Sequence, residues 1–271
     1  MEIVFSDYAD KPTDIHTRMQ VYKKCGVKSI SLPWFDMYFP NGINRFKAHD
    51  IAKLHGIKVE VVHMDKRETS LLWSDGKGGE KVVKRTLDHI KELASRCVKV
   101  GVFHLTNTMP PPVSDIGLKR INEIVKYCEK VKFILAVENV EMCGTAHLDA
   151  VLESIKSPSL KICFDIGHAH CFSKDVMGTF DKYKSWIICT HLHNNHGNED
   201  SHFSFGNGNI DFAKFFEAAK DSNIKYNIIE VSPPECVNTE EKFEKFVKQE
   251  LSHYKANGDL KVAFLPSSFS M

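Results

Sequence analysis

Short runs of β-branched and aromatic residues alternate with amphipathic stretches along the whole chain, at a beat of roughly 25–40 residues that reads as successive strand–helix units. Strands are expected over Glu2 to Phe5, Ser29 to Pro33, Val59 to His63, Val100 to His104, Phe133 to Glu138, Lys161 to Asp165, Trp186 to His191 and Tyr226 to Glu230. The helical patterns between them cover Asp14 to Cys25, Arg45 to His55, Gly79 to Cys97, Asp115 to Lys130, Ala146 to Ile155, Phe172 to Lys184, Ile210 to Asp221 and Thr239 to Ala256. Asn209 and Asn238 stand where N-caps belong, the latter with Glu241 at capping-box spacing, while Gly26, Gly56 and Gly258 stand where helices end. Parallel strands need right-handed helical crossovers, and eight such units in a row can close. The pattern therefore predicts one α/β domain over residues 1–271, a (β/α)8 TIM barrel. The stretch after Gly258, with Val262 to Leu265, is expected to pack on the barrel as a tail.

Closure predicts where chemistry sits, because loops at the C-terminal ends of barrel strands converge on one mouth. Those ends carry His63, His104, Glu138, Asp165, His168, His191 and Glu230. A carboxylate that ends a run such as NIIE or LAVE is partly buried, so it must be paired, hydrogen-bonded or bound to a metal. The densest stretch, Trp186 to Phe212, adds His193, His196, Asp200 and His202. On extended backbone Asp200 and His202 would point the same way. Imidazole and carboxylate suit zinc, manganese or iron(II). Whether His193 and His196 line the mouth or face solvent stays open at this level.

Composition narrows the classes. With 36 basic and 35 acidic residues the chain offers no general footprint for nucleic acid or an anionic membrane. Arg18, Arg45, Arg67, Arg85, Arg96 and Arg120 are its only arginines, which weakens a phosphoester substrate without excluding it. Nucleic acid is thus disfavoured as a partner but not excluded, and a homo-oligomer remains open. No apolar run reaches the length of a membrane span, the first residues do not read as a secretory signal, and the 8 cysteines form no C-x-x-C pair. The expectation is a reduced, cytoplasmic protein. Segment 64–79, with Leu71, Leu72 and Trp73, reads either as a substrate-contacting lid or as a patch packed on the rim. Pro110 and the two prolines after it stiffen segment 106–114, and Met37, Tyr38 and Phe39 are candidates to line the mouth.

The segments AVEN, FDIGHAH and THLHNN…DSH…GNGNID, with Glu230 near the end, resemble the xylose-isomerase-like barrel superfamily over nearly the whole chain. That superfamily contains metal-dependent sugar isomerases and epimerases, inosose dehydratases and zinc-dependent apurinic-site endonucleases of the endonuclease IV type. The resemblance implies a divalent metal among Glu138, Asp165, His191 and Glu230. In the endonuclease branch it implies up to three zinc ions, with His63 and His104 joining Glu138 on one, and His168, Asp200 and His202 holding another. The region after strand three looks more like the sugar branch, and residues that enter abasic DNA are not recognisable. Against this, ketose 3-epimerases have an arginine six residues after the metal histidine, where this chain has Gly197. Relatives also often have Asp-Asn where this chain has Asn194 and Asn195, so a carboxylate there is replaced by a neutral amide.

On the sugar reading, one Mn, Zn, Co or Mg ion stabilises an enediolate, Glu138 and Glu230 act as base and acid, and His168 binds a substrate hydroxyl. The substrate is then a small sugar, polyol or keto-sugar. On the alternative readings the chain is a zinc phosphodiester hydrolase or an inosose-dehydratase-like lyase.

Overall fold

The computed structural model describes residues 1–7, 13–35, 42–107, 109–140 and 144–258. Met37, Tyr38, Phe39 and the tail 259–271 lie outside the described residues. Eight strands, β1 (Glu2–Ser6), β2 (Ser29–Pro33), β3 (Lys58–His63), β4 (Val100–Phe103), β5 (Ile134–Glu138), β6 (Leu160–Asp165), β7 (Ile187–Leu192) and β8 (Tyr226–Ile229), follow one another around a closed barrel. Every neighbouring pair is parallel, and β1 meets β8 through Val4 opposite Ile228. Helices α1 (Ile15–Lys24), α2 (Arg45–Leu54), α3 (Lys77–Ser95), α4 (Asp115–Val131), α5 (Ala146–Ser154), the single turn α6 (Ile166–His168), α7 (Val176–Tyr183), α8 (Phe212–Ala219) and α9 (Glu240–Gly258) provide the crossovers. No helix among the described residues is long and apolar enough to cross a membrane.

The two-residue strand period separates two cores. Val4, Val61, Val100, Val102, Ala136, Cys163, Cys189 and Ile228 fill the barrel interior. Alternate residues such as Val62, Phe103, Leu135, Val137, Ile162, Phe164 and Ile229 pack outward against the helices. At the mouth end of β1, the Arg18 guanidinium of α1 reaches buried Asp7 at 2.8 Å, and Tyr22 donates to the same carboxylate.

Three local expectations need correction. Asp211, not Asn209, caps α8 by accepting from the Lys214 N–H. Before α9 it is the Thr239 hydroxyl, not Asn238, that accepts a helix N–H, from Lys242. The single helix expected over 172–184 is broken: α6 and a π-type turn over Ala169–Ser173 come first, and α7 starts afresh at Val176, capped by Asp175. In the first two cases an Asp or Thr one or two residues nearer the helix takes the capping role from the amide.

The apolar part of segment 64–79 packs on the rim, while Lys66 of the same segment lines the mouth. Thr69–Trp73 forms a 3₁₀ turn that buries Leu72 and Trp73, and the Trp73 indole donates to the Leu105 carbonyl at 2.9 Å. Gly117 of α4 lies so close beneath that ring that a Cβ would stand 2.2 Å from Trp73 Cε3. Arg120, also on α4, donates to the carbonyls of Leu72, Ser74 and Gly76 at 3.0, 2.6 and 2.9 Å. Replacing it removes the donor from one buried carbonyl, that of Leu72, and from two partly buried ones. Arg120→Met should therefore lower the unfolding free energy by about 2–4 kcal/mol in urea titrations, as loss of several charge-assisted bonds requires.

Candidate metal centre

The strand period that fills the barrel also delivers the polar layer. His63 follows Val61 by two residues, His104 follows Val102, Glu138 follows Ala136, Asp165 follows Cys163, His191 follows Cys189 and Glu230 follows Ile228. All six face the barrel axis at its C-terminal end, and all are buried. Pairing in register places Asp165 directly beside His191.

Glu138 lies at the centre. Its Oε2 is 2.8 Å from His104 Nε2 and 3.3 Å from His63 Nε2, while its Oε1 is 3.4 Å from Nδ1 of both His168 and His191. His191 Nδ1 is in turn 2.8 Å from Glu230 Oε2 and 3.5 Å from Asp165 Oδ2. Ligand atoms come within 4.8 Å of one another in four triads: His63–His104–Glu138, Glu138–Asp165–His191, Asp165–His193–Glu230 and His193–Asp200–His202. Three atoms of this set, His191 Nδ1, His193 Nδ1 and Asp200 Oδ1, are buried without a hydrogen bond of good geometry. Imidazole and carboxylate ligand atoms converging in this way suit a divalent cation, so the residues form a candidate divalent-metal site.

The histidines are oriented from behind. His63 Nδ1 lies 3.1 Å from the Met64 carbonyl, His168 Nδ1 3.1 Å from the Asn139 carbonyl, and His202 Nδ1 3.0 Å from the Glu230 carbonyl. A carbonyl only accepts, so Nδ1 carries the proton in each ring and Nε2 is turned into the mouth. Asn139 clamps the end of β6 by accepting from the Asp165 N–H at 2.6 Å and donating to its carbonyl at 3.0 Å. Asp165 also accepts the His168 N–H, which starts α6 and sets His168 three residues on.

Burial alone would raise the carboxyl pKa values here, but the imidazoles outweigh it. His104 and His191 hold Glu138 well below the usual carboxylate range, His168 and His193 do so for Asp165, and His191 does so for Glu230. Against its own burial, His168 is raised to about 10 by Asp165 and by its bond to Asp200, and His202 to about 9 chiefly by Asp200. His104 goes the other way, to about 4, because desolvation exceeds the pull of Glu138.

Eight of the nine site residues expected from sequence belong to the triads. His168 belongs to none but joins through Asp200, whose Oδ2 is 3.2 Å from both His168 Nε2 and His202 Nε2. The backbone route to that contact differs from expectation: His202 adopts φ 47°, left-handed rather than extended, and is fastened by the Ser232 N–H on its carbonyl. His193, left open above, is fully buried, bonds Asp165 at 3.1 Å and stacks on His202 with centroids 3.9 Å apart. Its two-residue spacing from His191 was the signal. His196 is exposed and packs only near Phe203. Asn194 donates to the Phe205 carbonyl of the following loop and Asn195 to the Gly167 carbonyl of α6. Phe35, Lys66 and Ser232, which sequence reasoning did not single out, line a mouth cavity of about 270 Å³ with His63, His104, Glu138, His168, Asp200, His202 and Glu230. A larger groove of about 440 Å³ between α3 and α4 holds none of these groups.

Among solved structures, a D-tagatose 3-epimerase-like protein aligns over 94% of this chain and 99% of its own at 19% identity and TM-score 0.73. A D-psicose 3-epimerase from Clostridium cellulolyticum H10 aligns over 96% of this chain and 100% of its own at 14% identity and TM-score 0.73. At such identities the likeness concerns the fold. An uncharacterized protein of Methanocaldococcus jannaschii is 29% identical over 160 residues, so the match spans 52% of this chain and 55% of that curated relative. The family model for xylose isomerase-like TIM barrels matches residues 19–251. The chain belongs to the xylose isomerase-like TIM barrel family.

Proposed function

We propose that the protein is a metal-dependent isomerase or epimerase of a small hydroxy-ketone or hydroxy-aldehyde sugar. The observation that carries this reading is that Glu138, at the end of β5, and Glu230, just past β8, lie 3.4 and 2.8 Å from His191 Nδ1 and both line the same 270 Å³ cavity. That volume falls below the ~300–1,000 Å³ of pockets for drug-sized ligands and suits a single sugar unit. Glu138, Asp165, His191 and Glu230 would hold one divalent ion, Mn, Zn, Co or Mg. Such an ion polarises a carbonyl and acidifies the neighbouring C–H. Glu138 and Glu230 then take and return the proton at their carboxylate oxygens, His168 hydrogen-bonds a substrate hydroxyl through Nε2, and Phe35 limits water on one wall.

A second reading, a zinc phosphodiester hydrolase, is favoured by one feature: the His63–His104–Glu138 and His193–Asp200–His202 triads extend the ligand set on either side of the inner cluster. The nearly balanced charge of the chain argues against it, since backbone phosphates supply much of a DNA enzyme's affinity.

Metal content per chain decides between the two. Protein purified without added metal should hold one ion that is retained in His202→Ala and lost in Asp165→Asn; about three zinc ions, one of them lost in His202→Ala, would establish the hydrolase instead. With the ion restored, ketoses should exchange a C–H hydrogen with deuterated solvent. Glu230→Gln should slow that exchange by about 100-fold or more, read by NMR in samples matched for bound metal. The raised His168 and His202 give a pH signature. Their stabilisation of the metal-free fold is complete below the ordinary histidine value of 6.5 and disappears as pH rises through about 9 and 10. Melting temperature of the metal-free protein should thus fall along this alkaline limb, and His202→Ala should flatten it.

A further inference from the structure

We infer that the substrate carries an anionic group, a carboxylate or a phosphate ester, and that Lys66 receives it at the β3 side of the mouth. The inference rests on the sugar reading above and adds the substrate's charge. Lys66 is the only lysine or arginine that lines the 270 Å³ cavity among the described residues. The residue is exposed and shares that cavity with His63 and His104.

The surroundings leave this ammonium for an incoming ligand. The neighbouring cations are already neutralised: Arg67 bonds buried Asp65 through Nε at 2.9 Å and Nη2 at 2.6 Å, and Arg85 reaches Asp65 at 3.3 Å and Glu68 at 3.3 Å. Asp65 also accepts the Arg67 N–H at 3.0 Å, closing a tight turn with Lys66 between the two partners. The mouth carboxylates are engaged too, Glu138 with His104, Asp200 with His168 and His202, and Glu230 with His191. Among the described residues none of them pairs with the Lys66 ammonium, while its backbone carbonyl accepts from Thr69 Oγ1. A lone ammonium held beside a metal-ligating layer is a point-charge receptor, which a single anionic terminus fits without an arginine fork. The scarcity of arginine therefore does not disfavour a charged substrate, because lysine supplies the contact.

The test uses D-fructose, D-fructuronate and D-fructose 6-phosphate, which differ only at C6 as neutral, carboxylate and phosphate forms. Affinity for the metal-loaded full chain is measured by calorimetry in wild type, Lys66→Met and Lys66→Arg. At least one anionic form should bind about tenfold or more tighter than fructose, the ratio should fall to about one in Lys66→Met, and Lys66→Arg should keep most of it. Preference for the carboxylate or for the phosphate form names the class. Equal affinity of all three in wild type, absence of binding by all three, or a preference that survives in Lys66→Met overturns the inference. Solvent-deuterium exchange into a neutral ketose alongside any of these results would leave the isomerase reading standing, so the two fail separately.

Discussion

The structure depends on the two-residue period of its strands. In six consecutive strands, β3 to β8, one inward position belongs to the apolar filling of the barrel and the next inward position carries a ligand group. A one-residue slip would turn Val61 and His63, or Ile228 and Glu230, outward together, so packing of the interior and presentation of the mouth cannot be set independently. The remaining two strands obey the same parity with different content: Ser6 and Ser31 pair in register, and opposite His63 the second strand offers Pro33 rather than a ligand group. Among the described residues the ligand groups thus follow β3 to β8.

This coupling explains what was legible in the sequence. Polar residues ending apolar runs, as in ILAVE and IICTH, are improbable as solvated faces, and the six strand-end ligands were readable from that alone. His193 follows the same parity one step beyond, but β7 ends at Leu192, and sequence does not say that the chain stays extended past a strand's last paired residue. Helix starts were misplaced where two candidate caps lie a few residues apart, as with Asn209 and Asp211, because the choice depends on backbone angles fixed by the preceding loop. Trp73 was ambiguous for a different reason. An aromatic in a long loop becomes packing rather than lid only through partners distant in sequence, here Leu105, Gly117 and Arg120.

Much of the site's precision comes from backbone carbonyls and from groups remote from the mouth. Three histidines lean on the carbonyls of Met64, Asn139 and Glu230, so the strand ends that supply ligands also orient them. The segment carrying Asp200 and His202 is held on its far side by Glu250 of α9, a fully buried carboxylate that accepts from the Ser204 hydroxyl and from the Phe205 N–H at 3.1 Å. Asn194 joins the same segment through a two-way backbone bridge to Phe203. The last helix thus fixes a loop whose geometry, with His202 in the left-handed region, would otherwise relax.

Depth of burial decides where a cation matters most. Glu138, Asp165 and His191 lie almost wholly out of solvent, so charges there are tolerated only in mutual contact, and removing one partner leaves the others exposed to the full desolvation cost. Asp200 and His202 sit at the edge, with side chains 28% exposed, where water and a proton on each imidazole can satisfy the carboxylate. Metal and proton compete for the same lone pairs throughout the layer. In the interior three carboxylates converge on His191 Nδ1, at 2.8, 3.4 and 3.5 Å, and a divalent cation there would neutralise them more completely than the one imidazole between them can.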